Sequence, residues 1–229
     1  FVFGLSSKDL GSGLHIKASD TSASVENTAE QLVLERNSHC GLSILSSTST
    51  TGNIHFGDSG DNNIGKITYD HADNHLFFHA EANEGLRING SQKISTGGET
   101  AADVDSGGIC IDTNANDGFS LTFKNSDVAH SVTGEAEADT YMRMAKYSAT
   151  QGGGAIVAYG EGGEGIYLQG VIGSGQGSTA KSTSAGAPVI IKGTKESSNA
   201  AGAMGSNENC AVILNHTNTR FIFDAEGDF

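Results

Sequence analysis

The sequence predicts an all-β fold of many short, mostly antiparallel strands joined by glycine-rich turns. Three observations predict it. Apolar and polar residues alternate in short runs along the chain, the runs are bounded by Gly, Asn, Asp and Ser, and glycine supplies 32 of 229 residues. Run starts fall about 10 residues apart, the rhythm of a meander, a sandwich or a solenoid. Glycine is at about twice its ordinary usage, whereas proline occurs once and tryptophan not at all.

The expected strands begin with SGLHIKA at 12–18, EQLVLER at 30–36, GLSILSS at 41–47, GNIHFGD at 52–58 and GKITYDH at 65–71. They continue with HLFFHAE at 75–81, GLRING at 85–90, GGICIDT at 107–113 and GFSLTFKN at 118–125. Within 134–151, YMRMAKY alternates Tyr141, Arg143, Ala145 and Tyr147 against Met142, Met144 and Lys146, which favours a strand over the alternative of a helix. From 152 to 193 the chain turns glycine-rich, with apolar cores AIVAYG, GIYLQGVIG and APVIIKG suited to narrow sheets. STAKSTSAG at 178–186 reads as an exposed loop. The stretch 210–229 reads as a hairpin turning at 215–219, with a further turn at 226–228. Glycine weakens a strand unless backbones must approach closely, so the tract 152–177 is expected at an interface between identical chains.

Composition narrows the function. The formal net charge of −14 repels phosphate backbones, which argues against nucleic-acid binding and against an anionic membrane surface. No apolar run reaches transmembrane length, so membrane insertion is not expected. The apolar share is 36%, below the ordinary 45–50% or so. Cys40, Cys110 and Cys210 are far apart and form no C-x-x-C, so they read as buried free thiols. A chain that opens on Phe1 is expected to be a segment of a longer polypeptide.

FGDSGDNNIG at 56–65 contains G-D-S-G, the string around the nucleophile of chymotrypsin-like proteases, and SHCG at 38–41 precedes it. Those enzymes need the base more than a hundred residues earlier, but His39 lies twenty residues before Ser59, and two expected strands fill the interval. Ser59 therefore reads as part of a turn. Asp58, Asp61, Asn62 and Asn63 offer hard oxygens, but the EF-hand spacing and its closing glutamate are missing, so the turn reads as solvated rather than calcium-binding.

His71, His75 and His79 are four apart, with His55 nearby. DHADN at 70–74 is turn-like, so His71 should end one strand while His75 and His79 share a face of the next. They read as surface or half-buried strand residues; the alternative is a metal site on a threefold axis, where one histidine supplies three ligands. The pairs Glu161 with Glu164 and Glu135 with Glu137 lack the aromatic platforms of a sugar-cleaving groove. No residue is assigned a catalytic, cofactor-binding or metal-binding role, and no cofactor is expected.

The stretch 29–90 resembles a module of tail-fibre and tailspike-like proteins of bacteriophages. The resemblance rests on an E-x-apolar-x-apolar-E run, a glycine-led strand, I-x-F-G-D, an acidic turn, G-x-I-x-Y-D-H and a later R-I. The matching residues are Glu35, Gly41, Phe56, Gly57, Asp58, Gly65, Ile67, Tyr69, Asp70, His71, Arg87 and Ile88. TRFIFDAEGD at 219–228 is similar to an element of marine-phage structural proteins. The module commonly precedes an intramolecular chaperone of the endosialidase type, whose self-cleavage motif does not occur in these residues.

This resemblance implies a non-enzymatic structural component of a phage virion, a tail fibre or fibre-like appendage. It also implies an elongated homotrimer that contacts other virion proteins and takes part in host attachment through a cell-surface glycan or protein. The expected domains are a β-rich fibre module at 1–133, with its tail-fibre-like core at 29–90, and a glycine-rich β module at 134–229. A polysaccharide-depolymerising tailspike segment and an extracellular adhesin or filament subunit remain as alternatives.

Overall fold

The computed structural model describes residues 13–182 and 185–226. Fifteen strands and no helix occur among these residues, so the all-β expectation holds. The chain divides into two compact units, one of residues up to 120 with 145–153 and the other of 121–144 with 154 onward.

In the first unit, β1 (Leu14–Lys17) and β2 (Leu32–Glu35) pair in parallel, Leu14 opposite Leu32 and Lys17 opposite Glu35. Then β3 (Thr51–Phe56), β4 (Gly65–Asp70), β5 (His75–Ala80), β6 (Asn83–Ile88), β7 (Ile94–Thr96) and β8 (Ile109–Cys110) form one six-stranded sheet in chain order. It is an antiparallel meander as far as β7, and β8 joins in parallel.

Short polar side chains close the turns. The β4–β5 turn has Ala72 N–H donating to Asp70 Oδ1 at 2.8 Å and Asn74 at φ 56°. Asn89 Oδ1 accepts from the N–H groups of Ser91 and Lys93, each at 3.0 Å, between β6 and β7. β5 and β6 are joined by Glu81 and Ala82 alone, at φ 49° and 59°. That is the mirror-image hairpin turn whose twist suits the strands, made here without the glycine or asparagine that usually occupies it.

Three stretches expected as strands are not. Residues 41–46 carry no ladder; Ile44 lies against β3, its side chain 3.4 Å from where a Cβ on Gly52 would sit. In the second unit, GIYLQGVIG at 165–173 and APVIIKG at 187–193 have the alternation of strands but no ladder partner among the described residues. A Cβ on Gly170 would fall 2.1 Å from the Pro188 carbonyl oxygen, so the two stretches pass close by, yet Pro188 has no N–H to offer a ladder. GGICIDT at 107–113 shrinks to β8.

β9 (Phe119–Lys124), β10 (Thr140–Ser148) and β11 (Gly152–Ala158) form a three-stranded sheet in the order β11-β10-β9, so 141–147 is strand and the helical alternative is gone. The expected boundary at 133/134 falls in the β9–β10 loop. The hairpin β12 (Lys195–Ser197) with β13 (Ala200–Gly202) was not foreseen; Ser198 and Asn199 turn it at φ 54° and 63°. β14 (Asn209–Asn215) and β15 (Asn218–Asp224) form the expected C-terminal hairpin about His216 and Thr217. The exposed loop expected at 178–186 includes residues 183–184, and the turn expected at 226–228 includes 227–228, which lie outside the described residues.

Ala102, 8% exposed, and Tyr159, 7% exposed, are the buried apolar residues among those described. The single chain exposes 17362 Å². A compact 23.5 kDa monomer exposes about 9,800 Å², and two separate domains of half that mass about 12,000 Å². The excess means that pairing of strands, not closure of a core, is what this chain achieves by itself.

Candidate functional site

The acidic turn at 58–63 is built by its own backbone. Asp58 Oδ1 accepts from Gly60 N–H at 2.7 Å and Asp61 N–H at 2.9 Å, and Asp61 Oδ1 accepts from Asn63 N–H at 3.0 Å. The bonds from Asp61 and then Gly60 hold the Asp58 carboxyl below its usual range. Ser59 is exposed at the tip of this turn. The carboxylates are thus engaged in shaping the loop, as expected for a side-chain-capped turn.

The histidines fall where the alternation places them. β4 ends at Asp70 and His71 begins the turn, stacked edge-on against Tyr69 with centroids 4.9 Å apart. His75 and His79 share one face of β5 with Phe77 between them, each ring centroid 5.7 Å from that of Phe77. His55, Lys66 and His79 stand in one cross-strand row. Burial, and then the charge of Lys66, lower the His79 pKa. Its Nδ1 is buried and meets no hydrogen-bond partner among the described residues. Arg87 lies 4.9 Å over the Phe77 ring and pairs with Glu84 through two bonds of 2.8 and 2.6 Å. Among the described residues, no group of three or more His, Cys, Asp or Glu side chains could hold a metal ion. Cys40, Cys110 and Cys210 are free thiols but not the buried ones expected: Cys40 is exposed and the other two are half-buried, because the sheets that carry Cys110 and Cys210 close no core over them.

The carboxylates of the pair Glu135 and Glu137 take different partners. Glu135 accepts from Tyr159 Oη at 3.2 Å and pairs with Arg143 at 3.3 Å, whereas Glu137 pairs with Lys124. Glu161 accepts from the Ala129 N–H. These contacts surround His130, only 2% exposed, whose Nδ1 accepts from Val132 N–H at 3.2 Å and whose ring stacks on Tyr159. Burial is the main cause that raises the Tyr159 pKa. Sequence reading did not single out His130, Tyr159 or Arg143 as partners. They stand far apart; the alternation that includes Arg143 sets a face of β10 but names no partner, and the loop that carries His130 has no period.

A second polar cluster joins β1 to β2. Glu35 Oε1 accepts from Thr21 N–H at 2.6 Å and Thr21 Oγ1 at 3.0 Å, while Oε2 lies 2.9 Å from His15 Nε2 and 3.2 Å from Lys17 Nζ. The Thr21 backbone bond is the largest cause that lowers the Glu35 pKa; burial opposes it. Partial burial works against the Lys17 ammonium, but its bonds to Glu35 and Asp20 outweigh that and raise its pKa.

Two apolar surfaces lack cover among the described residues. On the six-stranded sheet, cross-strand partners place Ile54, Phe56, Ile67, Tyr69, Leu76, Phe78, Leu86, Ile88, Ile94 and Ile109 on one face. Asn53, Lys66, Thr68, Asp70, Arg87 and Ser95 occupy the other face. Phe56 is 56% exposed and Ile109 62%. Gly52 leaves a hollow of about 240 Å³ in the apolar face, lined by Ile44, Ile54, Ile67, Tyr69, His71 and Leu76. The second surface is the unpaired glycine-rich stretch after β11, where Tyr167, Leu168, Val171 and Ile191 stand open, Val171 to 82%.

No helix among the described residues is long and apolar enough to cross a membrane, so helical insertion is not available to them. The chain matches no protein-family model, no curated protein and no solved structure.

Proposed function

We propose that this chain is a segment of a fibre-like structural appendage of a bacteriophage particle, assembled as a homotrimer and engaged in attachment to the host. Its place is on the outside of the virion, beside other virion proteins, with a host cell-surface glycan or protein as the further partner.

One observation carries the assembly: large apolar side chains lie exposed along most of the chain, and only Ala102 and Tyr159 are buried among the described apolar residues. A chain of this length gains its stability from burial, so copies must supply the surface that this chain does not bury itself. The glycine-rich tract 152–177 contributes to that contact. Its first part is β11, paired with β10; the stretch from 160 onward has alternating apolar residues and no ladder, and its missing side chains admit a neighbouring backbone.

The fibre assignment rests on the resemblance of 29–90. Phe56, Gly57, Asp58, Gly65, Ile67, Tyr69, Asp70, His71, Arg87 and Ile88 lie along the meander from β3 to β6. The other two matching residues lie outside it, Glu35 at the end of β2 and Gly41 in a stretch without a ladder.

The test is the mass in solution by light scattering, with averaged electron-microscope images. A particle of three times 23.5 kDa with threefold symmetry is expected. A compact, stable monomer would overturn the proposal.

A further inference from the structure

The six-stranded sheet carries an interaction surface distinct from the glycine-rich tract. We infer that its apolar face, centred on Ile54, Phe56, Tyr69 and Phe78, is covered by the same face of further copies of this chain; this rests on the assembly proposed above.

Three observations lead there. The face is continuous across all six strands. Directly opposed partners run Ile54–Ile67–Phe78–Leu86 in one row and Tyr69–Leu76–Ile88–Ile94–Ile109 in the next. The first row ends at Leu86 opposite Thr96 and the second starts at Tyr69 opposite Gly52, so the two together reach all six strands; opposed residues share a side of the pleat, as a buried sheet face requires.

Its extent is also right. Strand intervals of about 4.8 Å, with six residues in β3 to β6 but three in β7 and two in β8, give a face on the order of 400 Å² in projection. Exposed apolar patches of that size mark interaction sites. Two such faces bring together roughly 800 Å², so this contact adds to that of the glycine-rich tract in reaching the roughly 1,200 Å² of the smallest stable specific interfaces.

The charge pattern names the occupant. Lys66, Asp70, Glu84 and Arg87 lie on the opposite face, and His71 lines the hollow beside Tyr69 on the apolar one. A chain of formal charge −14 meets its own copies at high local concentration and would repel them through most of its surface. This face sets no Asp, Glu, Lys or Arg against its equivalent, so identical copies can close on it without opposing like charges. The hollow above Gly52 and the protruding Phe56 on the same face give it both a recess and a projection.

The test uses the full chain in three arms: wild type, Ile54→Glu on the apolar face and Asn53→Glu on the polar face, with mass read by light scattering and β content by circular dichroism. Ile54→Glu is expected to lose the assembly at least tenfold in concentration while keeping its β signal, and Asn53→Glu to assemble like wild type. Hydroxyl-radical footprinting of wild type alone covers the case in which Ile54→Glu does not fold: Phe56, Tyr69 and Phe78 should be protected relative to exposed Tyr147 or Phe221, which lie outside both proposed contacts. An assembled wild type whose Phe56, Tyr69 and Phe78 oxidise freely, or an Ile54→Glu chain that assembles normally, overturns this face while leaving the proposed assembly standing. A monomeric wild type overturns both.

Discussion

The imidazole of His130 lies on the phenol ring of Tyr159, centroids 4.8 Å apart and planes 26° from parallel. Around this stack Arg143 sits 5.4 Å from the Tyr159 centroid and Glu135 takes the phenol hydrogen bond. Tyr159→Phe removes that hydrogen bond and should lower stability by about 1 kcal/mol. His130→Ala removes a buried ring and its stacking partner and should cost about 3 kcal/mol. Urea midpoints of the two variants give the comparison, and equal losses would show that the stack adds nothing.

Glu35 ties the stability of β1–β2 to pH. Its folded pKa is depressed, so its contribution is present above the unfolded carboxyl range and lost as pH falls through the folded value. Lys17 works in the other direction: its raised pKa gives a contribution present below the unfolded lysine range and lost as strong alkali removes its proton. Protection of the Leu14 and Ala18 amides, which bond to Gln31 O and Glu35 O at 2.7 and 2.8 Å, should fall in acid in the wild type. In Glu35→Gln the protection should be lower at neutral pH and nearly flat into acid. Identical acid profiles by hydrogen exchange would refute the linkage.

The acidic turn should answer to Asp58 and ignore Ser59. Asp58→Ala leaves the Gly60 and Asp61 N–H groups without their acceptor, and their exchange should speed up. Ser59→Ala should leave exchange, mass and host adsorption unchanged. Labelling of Ser59 by a fluorophosphonate would overturn the assignment of this serine to a turn.

Glycine substitutions separate contacts within the chain from contacts between copies. Valine at Gly170 strikes the Pro188 carbonyl of its own chain, and at Gly160 a Cβ would lie 2.6 Å from Glu164 O, so neither position isolates an interface. Gly165 has nothing within 4 Å of an added Cβ and no left-handed φ. Gly165→Val should therefore be harmless to a lone chain and shift a trimer toward smaller species or aggregate, with Gly165→Ser shifting it less. Unchanged mass in both would remove this tract from the interface.

The two-residue turn at Glu81–Ala82 holds alanine at φ 59°, where a Cβ is crowded by the following carbonyl. Ala82→Gly relieves that crowding and should raise stability by about 1 kcal/mol, seen as a higher thermal midpoint.

The meander was legible because its strands alternate and most of their turns carry Asn, Asp or Gly, so β3, β4, β5 and β9 fall close to the expected spans; the Glu81–Ala82 turn carries none, and β6 starts at Asn83, two residues before the expected 85. The same alternation over 41–47, 165–173 and 187–193 misled, since period two specifies a face and not a partner. β7, β8, β12 and β13 have three residues or fewer, too few to show a period. The parallel pairing of β1 with β2 was invisible because Glu35, which holds the crossover through Thr21, looks in sequence like any exposed glutamate ending a strand. Within the polar clusters, the positions of His75 and His79 were readable from β5, whereas the meeting of His130 with Tyr159 depends on a loop path that carries no period.

The chain contains two kinds of strand pair, and they answer tension differently. In β14–β15 both free ends lie at the Asn209–Asp224 rung, so a pull on the backbone loads one rung at a time and the pair peels open. In β1–β2 the chain enters beside Leu14 and Leu32 and leaves beside Lys17 and Glu35. A pull entering through β1 and leaving through β2 loads every rung together, in shear. The Glu35 clamp sits at the exit end of that pair, where it would have to slide past Lys17 before any rung could part. Whatever strains this polypeptide along its length, its N-terminal joint resists as a lap joint and its C-terminal one yields as a zip.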